Sequence, residues 1–289
     1  MFVLFINNYM HPKNLNAFMK YNITIKSISI TEIDKFDLTQ YDVIYSPAQP
    51  IDVSKYPGVK FIFGPHFSVF PNELQLKMIK GKTSIYIQPS DWAKEAWQTH
   101  NSCNNIMFGV IPFGVDTIRF NEIMPASQRK SVFIYFKRRM PSELHTVYNF
   151  LLNRGFNPFI FDYVKQYNEV DYINFLHKSK FGLWLDAHES QGFALQEALA
   201  CNVPLLVWNV NSMNQEYGSN YKNIPATSIP YWNSSCGEYF TNAAQLQEIF
   251  DKFLQNINFY KPRDFILENL SIEKCSAKFV KLVNNMGSS

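Results

Sequence analysis

The chain has 289 residues, of which 46% are hydrophobic and 18% are charged, a balance that excludes a globally disordered protein. At about 100–200 residues per domain, this length predicts two domains. The net charge of +3 suits an anionic ligand but is too small for a nucleic-acid-binding surface.

Cysteine usage and hydrophobic patterning predict a cytoplasmic location. Cys103, Cys201, Cys236 and Cys275 are scattered and form no CxxC pair, which indicates free thiols in a reducing compartment. The first residues, MFVLFINNYMHP, are typical of a buried strand rather than of a secretory signal. No apolar run approaches the ~18 residues of a membrane helix, which leaves only peripheral membrane contact open.

The first part of the chain alternates short apolar runs with helix-like segments. Helices are indicated at 11–21 and at 90–100, where Ser90 can cap the second one. Strands alternating with helices predict a parallel sheet that is covered on both faces. The predicted strands cover 2–6, 23–30, 41–46, 60–64, 84–88 and 106–112.

The same pattern restarts after the polar segment 119–130, which holds Pro125 and is the predicted linker. Gly155 is well placed to end the first helix of this second series. The predicted strands cover 131–136, 158–163, 181–186 and 203–208, and the predicted helices cover 142–155, 171–180, 192–201, 242–256 and 272–285.

We therefore predict an α/β protein with two doubly wound, Rossmann-like domains whose parallel sheets face a central cleft. The predicted domains are 1–122 and 123–270. Residues 271–289 form a C-terminal helix that could pack back on the first domain.

The segment LDAHESQGFALQEALACNVPLLVW, residues 185–208, carries the strongest functional signal. Glu189 follows a buried strand, Gly192 permits a tight turn, and Glu197 lies on the helix that begins near Phe193. The start of that helix offers unpaired N–H groups to an anion. Two carboxylates that flank such a turn suit a ligand with a central phosphate and hydroxyls at both ends, as in a nucleotide-sugar. The alternative is that Glu189 and Glu197 are solvated surface residues.

These residues resemble the signature of the retaining glycosyltransferases of group 1 (family 4), which have the GT-B fold. Upstream, IQPSDWAKEAW and IMFGVIPFGVDTIRF are similar to segments that close the family's N-terminal domain, so the resemblance covers roughly residues 84–210. Asn202 stands where the family usually has glycine, at a helix end that Asn can also serve. The matching residues are Glu189, Gly192, Phe193, Glu197, Ala198, Ala200 and Pro204.

The resemblance implies roles for four of these positions. Glu189 would contact hydroxyls of the donor sugar, Glu197 would bind the ribose hydroxyls, and the backbone at Gly192 and Phe193 would hold the distal phosphate.

The family also places a basic pair after the first strand of the second domain. Lys137 occupies the position of its first member, but Ser142 stands where the second is expected. We expect Arg138 or Arg139 to take its place in binding the diphosphate, because guanidinium groups give bidentate phosphate contacts. A KRR run at a strand end is alternatively a set of solvated charges.

In the first domain, His66 follows a predicted strand and resembles the family's cleft histidine, which contacts the donor sugar. His11 and His188 are weaker candidates than His66 for a functional residue of the cleft. The family's glycine-rich first loop is replaced here by NNYMHPKN, which has no glycine. We thus predict Glu189, His66 and Lys137 as catalytic residues. The predicted donor-binding residues are Lys137, Arg138, Gly192, Phe193 and Glu197.

No Asp-x-Asp motif occurs in the sequence, which favours an enzyme without a metal and with no cofactor besides the nucleotide-sugar donor. The predicted function is hexosyl or pentosyl transfer to a hydroxyl of a glycan, a lipid or a small molecule, with retention and without nucleic-acid partners. One alternative is an inverting transferase with His11 or His66 as its general base. Another is a non-catalytic module that binds nucleotide-sugars. A transferase acting on nucleic-acid bases is disfavoured by the low net charge.

Overall fold

A computed structural model describes residues 1–165 and 167–287. The chain divides into two compact units, one formed by Met1–Gly114 with Ile272–Ser289 and the other by Val115–Ser271. The observed division at Gly114 lies slightly earlier in the chain than the boundary at 122 that the sequence suggested.

The first unit contains a six-stranded parallel sheet in the order β2-β1-β3-β4-β5-β6. Its strands are β1 Phe2–Ile6, β2 Thr24–Ile28, β3 Val43–Ser46, β4 Phe61–Phe63, β5 Ser84–Gln88 and β6 Met107–Val110. Its helices include α1 Pro12–Phe18, α2 Glu73–Ile79 and α3 Asp91–Gln98, with 3₁₀ turns at Ile30–Lys35, Leu38–Gln40, Val53–Lys55 and Asn101–Cys103.

The second unit contains a five-stranded parallel sheet in the order β11-β10-β9-β7-β8. Its strands are β7 Ser131–Lys137, β8 Phe159–Asp162, β9 Ser179–Asp186, β10 Leu205–Trp208 and β11 Gly237–Phe240. Its helices are α4 Pro141–Asn153, α5 Glu169–Leu176, α6 Phe193–Ala200, α7 Leu246–Gln255 and α8 Pro262–Asn269, with 3₁₀ turns at Ala126–Gln128, Met213–Gln215 and Ala243–Gln245.

Both sheets begin with the doubly wound strand order 2-1-3-4-5, so the predicted α/β class with parallel sheets is confirmed. The central strands are buried on both faces, as their continuous apolar runs require. Gly155 has φ +80° and follows the end of α4, as predicted. Asn202 adopts φ +58° after α6, which is the left-handed conformation that the family's glycine would take there.

The last helix, α9 Ile272–Asn285, belongs to the first unit. The ring of Phe279 packs edge-on against Phe18 at 5.5 Å between centroids. The amide N–H of Asn22 donates to the Ser276 hydroxyl at 3.1 Å, and the Lys60 ammonium donates to the Val283 carbonyl. An apolar face and two polar contacts therefore hold α9 on the N-terminal sheet.

The segment 119–130, which the sequence suggested as a linker, is instead a packed part of the second unit. Phe120 is buried in its core, and the Arg129 side chain is only 1% exposed. The Arg129 guanidinium donates to the carbonyls of Cys201 and Asn202 just after α6, and it pairs with Glu122 at 3.0 Å. The linker prediction is wrong because this arginine binds helix-end carbonyls rather than water.

The predicted capping role of Ser90 is also corrected. Ser90 lies at the N-cap position of α3 with extended backbone, but its side chain makes no capping hydrogen bond. The Ser90 side chain is fully buried.

Candidate functional site

The carboxyl ends of β7 and β9 form the point at which the strand order of the second sheet reverses. Ligands of doubly wound sheets bind beyond the strands at such a point. Lys137, the last residue of β7, pairs in register with Asp186, the last residue of β9. A basic and an acidic side chain therefore begin the two loops at this edge.

The turn after β9 opens α6. Gly192 is the N-cap of that helix with φ +75°, a conformation that side chains other than glycine rarely adopt. The amide N–H of Glu189 donates to the Thr227 carbonyl at 3.0 Å, which anchors the turn. The side chains of Gln191 and Gln196 hydrogen bond to each other at 3.0 Å. This support fixes the start of α6, where Phe193 is the first helical residue and the helix dipole favours an anion.

Lys137 reaches this turn from β7. Its ammonium donates a hydrogen bond to the Glu189 carboxylate, and both side chains are 18% exposed. The ammonium also lies 4.7 Å from the centroid of the Tyr163 ring. The structure thus brings together Lys137 and Glu189, two of the predicted catalytic residues.

Arg138 and Arg139 differ completely in their surroundings. Arg138 has φ +50°, its side chain is 52% exposed, and its guanidinium pairs with Glu216 at 2.8 Å. The Arg139 side chain is fully buried and makes a bidentate pair with Glu143 at 2.7 and 2.9 Å. Arg139 also donates to the carbonyls of Asp186 and Trp208 at 3.1 and 2.7 Å. Arg139 is therefore a structural residue, and Arg138 is the arginine that a ligand can reach.

Asp186 is a buried carboxyl that the sequence reasoning missed, only 2% exposed at the end of β9. Burial raises the pKa of Asp186, against the opposing effect of Lys137 and Arg139. Its Oδ1 accepts the amide N–H of Ala187 at 2.8 Å. The sequence could have indicated Asp186, because it is an acidic residue at the carboxyl end of a predicted strand.

Glu197 lies within α6 and is 3% exposed. It faces the tyrosines of a buried aromatic cluster. Burial, together with the nearby Glu197 carboxylate, raises the pKa of Tyr167 to about 12 and that of Tyr172 above its ordinary value. Glu197 is thus an interior residue of this unit, so the alternative that it is a solvated surface residue is wrong.

The loop between β10 and β11 adds residues that the sequence did not single out for function. Glu216 is 9% exposed and lies between Arg138 and His188, with its Oε2 3.5 Å from His188 Nδ1. The ring of Tyr221 packs edge-on against the His188 ring at 5.5 Å. The amide N–H of Tyr217 donates to the Arg138 carbonyl at 2.8 Å, which ties the loop to the end of β7.

The first unit has its own polar cluster at the corresponding point of its sheet, after β1, β3 and β4. The Asn8 amide donates to the Ser46 hydroxyl at 3.2 Å. His66 Nε2 lies 3.1 Å from the Asn14 amide nitrogen and accepts the amide N–H of His11. Burial and His11 lower the pKa of His66 to about 4, so its imidazole is neutral at pH 7. The exposed ring of Tyr9 packs edge-on against it at 5.6 Å.

Within residues 1–165 and 167–287, no three His, Cys, Asp or Glu side chains are grouped as metal ligands would be. Among the same residues, no helix has the length and apolar character needed to cross a membrane. The four cysteines are buried free thiols.

Comparison with solved structures identifies the fold. The N-terminal domain of trehalose-6-phosphate phosphatase from Candida albicans matches with TM-score 0.61 at 8% identity, covering 99% of this chain and 96% of that one. The lipopolysaccharide outer core galactosyltransferase WaaB matches with TM-score 0.51 at 12% identity, covering 98% and 99%. The chain has the GT-B fold.

The catalytic domain of starch synthase IV from Arabidopsis thaliana, bound to ADP and acarbose, matches with TM-score 0.51 at 9% identity, covering 86% of this chain and 73% of that one. No protein-family model matches the sequence, and no curated protein matches it. The GT-B similarity predicted from the sequence is confirmed at the level of fold, and several of its structural neighbours are glycosyltransferases.

Proposed function

We propose that this protein is a glycosyltransferase that transfers a hexosyl or pentosyl group from a nucleotide-sugar donor to a hydroxyl acceptor. The observation that carries the proposal is the edge of the second sheet at β7 and β9. There two cations, Lys137 and Arg138, stand beside a helix-opening turn whose Gly192 has a left-handed backbone. This combination suits the diphosphate of such a donor.

In the proposed reaction, the acceptor's hydroxyl oxygen bonds to the sugar's anomeric carbon, and the hydroxyl proton passes to the departing nucleoside diphosphate. The bond between the anomeric carbon and the diphosphate oxygen breaks, and negative charge develops on that oxygen. Lys137, Arg138 and the N–H groups at Gly192 and Phe193 stabilise this charge without a metal ion. Because these groups are fixed by strand β7 and by the anchored turn, little reorganisation is needed as the charge develops.

The two glutamates divide the donor between them in this proposal. Glu189 orients the sugar hydroxyls, and its pairing with Lys137 couples sugar binding to diphosphate binding. Glu197 binds the ribose hydroxyls, since an ionised carboxylate accepts hydrogen bonds from both. The catalytic domain of starch synthase IV, which shares the fold, is bound to ADP and acarbose, and this supports a nucleotide ligand for the present chain.

We assign the acceptor hydroxyl to the first unit, where the cluster around His66 is uncharged. His66 contributes a neutral hydrogen-bonding group to that part of the first unit. A pKa of about 4 makes His66 a weak base, which favours retention over the inverting alternative that would use it as general base. The free thiols support the predicted cytoplasmic location.

A panel of nucleoside diphosphates tests the proposal by thermal shift without added metal. At ligand concentrations about 100 times Kd, a genuine ligand stabilises the protein by about 2.7 kcal/mol. The corresponding nucleotide-sugar should then be hydrolysed slowly in the absence of acceptor. Failure of every diphosphate to shift the midpoint would contradict donor binding, and binding without hydrolysis or transfer would indicate a non-catalytic module.

A further inference from the structure

Both of the proposed phosphate-binding cations already have an acidic partner. Lys137 pairs with Glu189, and Arg138 pairs with Glu216. Asp186 adds a further buried carboxyl beside Lys137.

A diphosphate would bring about two or more negative charges to this edge. In a partly buried site, a surplus of like charge is costly unless it is neutralised. Diphosphate binding is therefore expected to be accompanied by the uptake of a proton.

His188 is the side chain best placed to take that proton. Its Nδ1 lies 3.5 Å from the Glu216 carboxylate, whose other oxygen pairs with Arg138 at 2.8 Å. The ring is 12% exposed and packs against Tyr221. His188 is thus separated from a proposed phosphate-binding cation by a single carboxylate.

The charges that face His188 come from two loops. Glu216 lies on the loop after β10, and Lys137 and Arg138 lie at the end of β7. Burial lowers the pKa of His188, Glu216 opposes that effect, and the two cations add to it. The ligand-free imidazole is therefore neutral at pH 7. A diphosphate that binds Lys137 and Arg138 would cancel their effect and favour the protonated ring.

We propose that His188 is a third cationic group of the diphosphate site, and that it acquires its proton as the diphosphate binds. Protonated His188 holds Glu216, and this leaves Arg138 available to the phosphates. The inference rests on the proposed donor-binding function. It identifies His188 as a positioning residue that acts through Glu216 and as a source of positive charge for the leaving group.

The sign of the pH dependence follows from linkage. Because the bound form holds the proton more tightly than the free form, affinity for the diphosphate rises as pH falls. As pH falls, the affinity starts to rise below the pKa of His188 in the diphosphate-bound protein. It stops rising below the pKa of His188 in the free protein, which lies under the ordinary value of 6.5. The dependence of affinity on pH is therefore strongest between these two pKa values.

Isothermal titration calorimetry can count the protons. The tightest binder among UDP, GDP, ADP, CDP and dTDP is titrated at pH 7 in buffers of different ionisation enthalpy. Wild-type protein should take up about 0.3–1 proton per site. His188→Gln should lose this uptake and bind the diphosphate about 5–20-fold more weakly at pH 6.5, with a smaller difference at pH 8.

His177→Gln is the matched control. His177 precedes the opposite end of β9, and burial also lowers its pKa. This variant should keep the wild-type proton count. The ligand's own ionisation is common to all three proteins, so differences between them report on the histidines.

The possible results distinguish failure of the proposed function from failure of the inference about His188. If no diphosphate binds, the proposed function fails, and this inference fails with it. If a diphosphate binds wild type with no proton uptake beyond the change in the ligand's own ionisation, the function stands and the inference is overturned, whether or not His188→Gln folds. Equal uptake by wild type and folded His188→Gln would also overturn it. Loss of uptake in His188→Gln alone supports it.

Discussion

The two sheets of this protein share a strand order, but the side chains at the point where that order reverses differ in charge. After β1 and β3 the contacts join uncharged groups, such as Asn8 with Ser46 and Asn14 with His66. After β7 and β9 the contacts are ion pairs, among them Lys137 with Glu189. The backbone alone therefore does not decide what binds at a reversal of strand order.

The difference indicates what each edge can bind. An anionic ligand can replace the carboxylate partner of a cation, and the displaced carboxylate then needs another partner or a proton. Neutral hydrogen-bonding groups suit neutral hydroxyls. The comparison therefore supports the proposal that the second unit binds the diphosphate and the first unit binds the acceptor hydroxyl. The following predictions test that proposal, from the largest expected effect to the smallest.

Arg139→Met should destabilise the protein most. The substitution leaves Glu143 without its bidentate partner and removes the donor to the carbonyls of Asp186 and Trp208. Breaking a buried charge pair costs about 3–5 kcal/mol. The matched change, Arg138→Met, removes a half-exposed pair and should cost less than about 1 kcal/mol. Urea and thermal midpoints measure both, and equal losses would show that the two arginines do not differ as described.

Lys137→Gln should have the largest effect on turnover. Loss of one preorganised electrostatic stabiliser lowers kcat by about 10²–10³-fold. Lys130→Gln is the control, because Lys130 is exposed and immediately precedes the opposite end of the same strand.

Wild-type activity should survive a chelator. An enzyme that chelator silences and Mg²⁺ or Mn²⁺ restores would disprove the metal-free mechanism.

Glu197→Gln and Glu189→Gln should separate nucleotide binding from sugar transfer. Loss of charge-assisted hydrogen bonds to ribose should weaken nucleoside diphosphate binding to Glu197→Gln by about 1.5–3 kcal/mol. Glu189→Gln should bind the same nucleotide normally yet lose transfer. Glu248→Gln, a change at an exposed position of α7, should leave both unchanged. Equal loss of nucleotide binding in the two site variants would refute the division of roles.

Most of the fold could be predicted because the central strands of both sheets are buried runs of apolar residues, a pattern typical of parallel sheets. The observed β1, β5 and β7 follow their predicted ranges to within a residue. The elements that escaped prediction are short. The strand β11 is only GEYF, and α2 and α8 lack a long apolar periodicity. Their formation depends on the sheet or helices they pack against, which no local pattern reveals.

The site was partly predictable for a different reason. Glu189, Gly192 and Glu197 lie in one segment with a recognisable spacing, so the sequence indicated them together. Arg138 and Arg139 are neighbouring residues of the same type, and the sequence does not show that Arg138 has a left-handed backbone and a half-exposed side chain while Arg139 is buried. The contact of His188 with Glu216 joins two loops that are distant in sequence, so no motif could have indicated it.

The smallest predicted effect concerns His66 and the pH dependence of stability. Its pKa is about 4 in the folded protein, against an ordinary value of 6.5, chiefly because of burial. The unfolded chain therefore binds more protons than the folded one between these values, and stability must fall as pH decreases through this window. The stability that neutral His66 contributes to the folded protein is fully present above pH 6.5 and is lost by about pH 4.

For a partly exposed ring the expected contribution is about 1–2 kcal/mol. His66→Asn should flatten this part of the stability curve measured by urea unfolding at several pH values, while His145→Asn on the exposed face of α4 should not. An unchanged slope in His66→Asn would mean that the histidine is not held neutral. The uncharged character of the first unit's edge, on which the comparison depends, would then be wrong.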